Sequence, residues 1–193
     1  MITGIFSIPL FVEKLNLKTD DIALYCRELR DKTKTADVSN RGGWQSPPLT
    51  GVHNVLNPLF DEILKSAEIY RNFCHLKNPL SIKNAWININ KRRDYNVRHV
   101  HPKCMVAGTY YVKTDPKSGD LIFHHPCDFS MTYDWEDKFI SNFKEHNSGA
   151  WLLPPVENQL VMFPSWLQHS VEENLSDEER ISIAFNLDFN QNI

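Results

Sequence analysis

The period of the apolar positions changes near residue 79. From Thr19 to about Lys34, Ile22, Tyr25, Cys26 and Leu29 recur at helical spacing behind Asp20 and Asp21, which suit a cap and first turn. One amphipathic helix is predicted there. Asn57-Pro58 opens a second, since proline is tolerated at the first helical position, and Leu59, Phe60, Ile63, Leu64, Ala67, Tyr70 and Phe73 make its apolar stripe. Between them RGGWQSPPLTG, rich in turn-formers, reads as a loop. From Pro79 onward the runs KNAWINI, MVAGTYYV, DLIFHH, AWLLP, QLVMF, QHSVEE and RISIAFNLDF are short and β-type, with DPKSGD as a turn. There is no internal repeat. The expected plan is one mainly β domain with flanking helices over 1–193, with a helical part over about 1–78 and a barrel over about 79–193.

Two strands alternate in a way that bears on function. Ala85, Ile87 and Ile89 oppose Trp86, Asn88 and Asn90, and Ile181, Ile183, Phe185 and Leu187 oppose Arg180, Ser182, Ala184 and Asn186. Such polar faces either meet solvent or line a polar cavity inside a barrel whose outer face packs on helices.

A net charge of -3 over 193 residues and a pI near 6.2 supply no broad cationic field, so nucleic acid is not the expected partner. Cys26, Cys74, Cys104 and Cys127 form no CxxC pair, which argues against a zinc ribbon or a dithiol redox motif and for reduced core residues. The apolar opening is interrupted by Pro9, Glu13 and Lys14 and is too short to span a bilayer. A cytoplasmic protein that does not use a membrane is expected, and a homodimer is allowed.

The candidate chemistry begins with His99-Val100-His101, whose spacing of two puts both imidazoles on one side of an extended chain. An HxH alone is weak, because eight histidines make one by chance often enough. His169 opens a later strand and is followed eleven residues on by Arg180, with Ser182 two further along the same face. A guanidinium fork beside a hydroxyl suits one carboxylate.

The stretches His99-x-His101-Pro102, AGTYYV, Ser118-Gly119-x-Leu121-x-Phe123, Phe163-Pro164-Ser165-Trp166-Leu167-x-His169-x-Val171 and Arg180-Ile181-Ser182-Ile183-x-Phe185-Asn186 together resemble the 2OG-Fe(II) oxygenase family of marine bacteria and phages. Gly43-Trp44-Gln45-Ser46 and Trp86-Ile87-Asn88 extend the similarity. The resemblance implies a double-stranded β-helix, a jelly-roll or cupin-like barrel, holding iron(II) in its mouth with 2-oxoglutarate and O2 as co-substrates. Oxidative decarboxylation would release succinate and CO2 and hydroxylate an unidentified substrate, a peptidyl side chain, a nucleotide base or a small metabolite. It also implies His99, His101 and His169 at the metal, with Arg180 and Ser182 on the distal carboxylate and Tyr111 and Asn88, or Tyr110, nearby.

The wider superfamily has a carboxylate where His101 stands. Either three neutral imidazoles hold the metal, or one of His99 and His101 is not a ligand and water replaces it. Three imidazoles leave one more positive charge, which the 2-oxoglutarate dianion partly offsets. Two other readings remain at this level: a cupin-type metal enzyme that does not use 2-oxoglutarate, and a non-catalytic metal-containing binding module. His124 and His125 are adjacent in an extended run, so at most one faces a cavity, and His53, His75 and His146 are expected to be structural or solvated. Arg41 to Thr50 and Cys127 to Ser148, with Trp135, are candidate lids.

Overall fold

Alternating β-branched and aromatic residues make the two longest strands of the computed structural model, which describes residues 2, 4–36, 38–51, 53–135 and 137–189. In chain order the elements are β1 (Phe11–Lys14), α1 (Thr19–Lys32), β2 (Asn40–Arg41), β3 (Trp44–Gln45), α2 (Asn57–Phe73), β4 (Leu80–Asn90), β5 (Tyr95–His99), β6 (Val106–Lys113), β7 (Leu121–His124), α3 (Asp128–Asp134), a 3-10 turn at Asp137–Phe139, β8 (Ala150–Leu153), β9 (Gln159–Pro164), β10 (His169–Val171) and β11 (Arg180–Phe189). A six-stranded sheet runs β1-β9-β6-β11-β4-β3, and a five-stranded sheet runs β2-β5-β10-β7-β8. Every pairing is antiparallel. This is the double-stranded β-helix, with strands distant in sequence brought side by side.

The six-stranded sheet is covered on both faces, by different chemistry. On its outer face Ile22 and Cys26 of α1 and Leu59, Ile63, Ala67 and Tyr70 of α2 bury against Ile87, Ile89, Ile181, Ile183 and Phe185. Successive strand residues point to opposite faces, so Asn88, Asn90, Arg180, Ser182 and Asn186 turn into the space between the sheets. Tyr111, Phe123, Val161, Phe163 and Leu167 make a smaller apolar cluster there. On the polar faces of β4 and β11, Asn88, Asn90, Arg180 and Ser182 are therefore buried between the sheets, while Trp86 and Asn186 remain half-buried at one end.

Several expectations need correction. The expected loop RGGWQSPPLTG contributes one short strand to each sheet, pairing Arg41 with Tyr95 and Gln45 with Asn88. The apolar opening supplies β1, whose Phe11 pairs with Met162. The second expected lid carries α3 and the 3-10 turn. The α2 stripe is narrower than its sequence suggests, because Leu64 and Phe73 are 41% and 74% exposed. Lys18, which makes no capping bond through its side chain, sits at the start of α1, and Asp20 and Asp21 fill its first turn, where negative charge complements the helix dipole. All four cysteines are free, but only Cys26 is buried and Cys127 is exposed. Among the described residues no helix is long and apolar enough to cross a membrane.

Candidate metal centre

His99 closes β5 and His169 opens β10, and the two stand directly opposite each other in the antiparallel ladder. Cross-strand partners share a face, so pairing alone brings their imidazoles together, with ring centroids 4.3 Å apart. His101 follows in the chain leaving β5, where its backbone N–H donates to the Ser165 carbonyl at 2.9 Å. Its ring lies 5.0 Å from that of His169 and 5.2 Å from that of His99. One nitrogen from each histidine can be chosen so that all three fall within 4.8 Å of one another.

The other nitrogens are already committed. Nδ1 of His99 donates to the Val97 carbonyl at 2.7 Å, Nδ1 of His101 to Asn186 Oδ1 at 2.5 Å, and Nδ1 of His169 to the Leu167 carbonyl at 2.9 Å. Each bond fixes the Nδ1–H tautomer and leaves Nε2 as a lone pair. Burial disfavours protonation of all three rings: it lowers the pKa of His99, of His101 to about 4 and of His169 to about 3. That favours the neutral form a metal needs. The Nε2 atoms of His99 and His101 are 3.2 Å apart. Two imidazoles about 2.1 Å from one ion at a right angle would be about 3 Å apart, so this donor set fits a divalent transition metal.

From the histidines the inner face of β11 continues through Asn186, Ala184 and Ser182 to Arg180. Across the sheet Ser182 pairs with Asn88 on one side and Tyr111 on the other, and Arg180 pairs with Asn90. Arg180 is 1% exposed. Its Nη1 donates to the Ser118 carbonyl, with the Gly119 and Glu172 carbonyls at 3.4 and 3.5 Å. Gly119 permits that close turn: its φ is +86°, and a Cβ there would lie 2.6 Å from the Glu172 carbonyl. Arg180 makes no ion pair among the described residues, and its Nη2 has no hydrogen-bond partner. Burial opposes its charge while the Asp94 carboxylate favours it. A guanidinium stays protonated in proteins, so a buried cation is left without a direct ion-pair partner among the described residues. Glu172 is three residues beyond His169, roughly 10 Å along an extended strand, a distance suited to a five-carbon diacid reaching from a metal to Arg180.

The sequence matches, over residues 84–186, a family model described as "Putative 2OG-Fe(II) oxygenase". The chain belongs to the 2OG-Fe(II) oxygenase family. It is accordingly an oxidoreductase that takes iron(II), with 2-oxoglutarate and O2 as co-substrates. No curated protein matches the oxygenase by sequence. Its fold is similar to that of a Pseudomonas putida prolyl-4-hydroxylase, with a TM-score of 0.67 at 14% identity over 94% of this chain and 92% of the other. It is also similar to HygX of Streptomyces hygroscopicus, solved with nickel and 2-oxoglutarate, at 0.61 and 10% identity over 96% and 84%. A viral collagen prolyl hydroxylase of Paramecium bursaria Chlorella virus-1, in complex with 2OG, gives 0.56 at 14% identity over 91% and 94%.

The oxygenase brings most of the residues singled out in its sequence to one place. His99, His101 and His169 cluster at one end of the inner face, and Arg180, Ser182, Tyr111 and Asn88 gather toward the other. Burial raises the pKa of Tyr111 to about 12 against the pull of Arg180, so it is a neutral hydroxyl. Tyr110 turns the other way and donates to Asn158 Oδ1 at 2.6 Å. His124 contacts the Ser170 hydroxyl at 2.9 Å, and His125 Nδ1 accepts from the Cys127 N–H at 3.0 Å; neither joins the cluster. His53 lies against Tyr25, and His146 is exposed.

Two contributors went unread in the sequence. Trp86 stands 5.5 Å from the His101 ring, and Asn186 holds that ring's Nδ1. Asn186 shares the strand parity of Arg180 and Ser182, which was the available signal. Asn186→Ala should weaken iron binding by about tenfold, because such outer partners are typically worth 10- to 100-fold. Titration with iron under anaerobic conditions measures this, and unchanged affinity would show that the His101 ring needs no such support.

Proposed function

We propose that His99, His101 and His169 hold the iron(II) of this oxygenase as three neutral imidazoles, and that Arg180, Ser182, Tyr111 and Asn88 hold 2-oxoglutarate. The observation that carries the proposal is Arg180, a fully buried cation with no ion-pair partner among the described residues, on the inner face that also bears the histidines. An unpaired buried charge is costly, and a dicarboxylate whose other end reaches the metal removes that cost. Ser182 and Tyr111 offer neutral hydroxyls to the same carboxylate.

The residues of the chain bind, orient and exclude water. The Nδ1 bonds leave three Nε2 lone pairs free for one ion, Asn186 fixes the ring of His101, and the Trp86 ring lies 5.5 Å from it. Iron and 2-oxoglutarate supply the oxidation itself, which consumes O2 and converts 2-oxoglutarate to succinate and CO2 while a substrate C–H bond is hydroxylated. The protein's own contribution is placement.

A direct test titrates the iron-loaded chain with 2-oxoglutarate without oxygen and then admits oxygen. One 2-oxoglutarate per chain is expected, followed by succinate release that a chelator stops. Iron-loaded protein that neither binds 2-oxoglutarate nor forms succinate would overturn the assignment. The proposal includes a single oxygenase domain acting in the cytoplasm; four unpaired thiols support that location.

A further inference from the structure

Beyond Asn88, two more carboxamides face the end of the inter-sheet space that holds Arg180. Gln45 pairs with Asn88, Asn88 with Ser182 and Ser182 with Tyr111, so these four form one row across four neighbouring strands. Asn90 stands in the next row, directly opposite Arg180. Gln45, Asn88 and Asn90 are 7%, 8% and 2% exposed, yet Gln45 Oε1, Asn88 Oδ1 and Asn90 Oδ1 have no hydrogen-bond partner. Buried polar atoms almost always find one. Three unpartnered carboxamide oxygens on the face that bears an unpartnered guanidinium nitrogen form a wall suited to a polar ligand.

The local sequence builds this wall on purpose. Gly42 and Gly43 both have φ near +65°, and a Cβ on Gly43 would come within 2.9 Å of Asn90 Nδ2 and of the Ile89 carbonyl. Only glycine lets the chain press so closely on the end of β4, and that contact lays β3 beside β4 and delivers Gln45 to Asn88. It also places the Asn90 amide nitrogen toward Gly43, while the amide oxygen is buried without a hydrogen-bond partner. Oxygen and nitrogen of a carboxamide exchange places by a half-turn, which would put the NH2 donors at that unpartnered position.

A carboxylate accepts about four hydrogen bonds. Arg180 spends Nη1 on backbone carbonyls, so its fork alone does not satisfy one. We propose that Asn90 is a second anchor for the distal carboxylate of 2-oxoglutarate, presented beside Arg180 at the end of a carboxamide wall formed with Gln45 and Asn88. This rests on the assignment of Arg180 to that carboxylate.

The test compares 2-oxoglutarate with 2-oxopentanoate, which keeps the metal-binding end and replaces the distal carboxylate by a methyl group. Binding of each to the iron-loaded chain is measured calorimetrically without oxygen. Asn90→Leu, of similar volume, should weaken 2-oxoglutarate about fivefold to tenfold, the loss of one charge-assisted hydrogen bond, and leave 2-oxopentanoate unchanged. Asn90→Asp, nearly isosteric, should cost more, because its carboxylate pairs with Arg180 and repels the co-substrate. Unchanged 2-oxoglutarate affinity in Asn90→Leu would overturn the proposal and leave the wall to ordered water. Equal losses on both acids would overturn it too, by showing a packing role. If Asn90→Leu fails to fold, parental 2-oxoglutarate affinity in Asn90→Asp overturns it. A parent chain that does not prefer the diacid would instead refute the Arg180 assignment, a separate outcome.

Discussion

Replacing His169 by alanine is expected to abolish stoichiometric iron binding while the fold survives. In the proposed centre His169 supplies one of three Nε2 ligands, its ring 4.3 Å from that of His99 and 5.0 Å from that of His101. Without it, His99 and His101 remain as a pair on one short stretch, a set that an iron(II) ion, modest in its affinity for nitrogen ligands, does not retain. The ring also packs edge-on against Phe163 at 4.7 Å, so some stability should be lost; truncating a buried aromatic ring costs about 3 kcal/mol or more when the ring is large, and less for imidazole. Metal analysis after gel filtration, with circular dichroism as the folding control, measures both. Wild-type iron content in His169→Ala would remove it from the ligand set. His101→Asp is the companion variant: it restores the carboxylate of the wider superfamily and should retain metal, although it forfeits the bond to Asn186.

Arg180→Ala should weaken 2-oxoglutarate by at least tenfold at unchanged iron occupancy. A charge-assisted contact of this kind contributes about 1.5–3 kcal/mol, and a factor of ten corresponds to about 1.4 kcal/mol. Arg180 is enclosed on all sides, so little solvent screening discounts the effect. Arg180→Lys should recover only part, because an ammonium reaches one oxygen and lacks the planar fork. Calorimetric titration without oxygen separates the two ends of the co-substrate. Equal affinity in parent and Arg180→Ala would mean that the distal carboxylate lies elsewhere.

Much of this site was legible because its signal is local. Strict alternation in β4 and β11 separates Ile87, Ile89, Ile181 and Ile183 from Asn88, Asn90, Arg180 and Ser182, and the structure puts the first set under the helices and the second between the sheets. The HxH pair, the strand-opening His169 and the Arg-x-Ser pair are short patterns of the same kind. The illegible parts depend on distant partners. β1 is four residues long and exists only because β9 offers it an edge, and β2 and β3 are two residues each, defined by the strands they meet. β5, spelled YNVRH, lacks an apolar period, yet it carries His99. Nothing near Asn186 in sequence announces His101 as its partner. Leu64 and Phe73 keep the helical spacing of α2 but fall on the rim of its buried face.

The bond between His101 and Asn186 also bears on how the centre comes into being during folding. Two of the histidines belong to the five-stranded sheet, while Asn186 belongs to the other. His99 and His101 are neighbours in the chain, but His169 follows them by roughly seventy residues and Asn186 by still more, so closing that loop costs entropy before any ligand is gained. The cluster cannot form in a nascent chain that ends before β10. It needs both β10 and β11 in place, and an ion held there would strengthen the join between the two sheets.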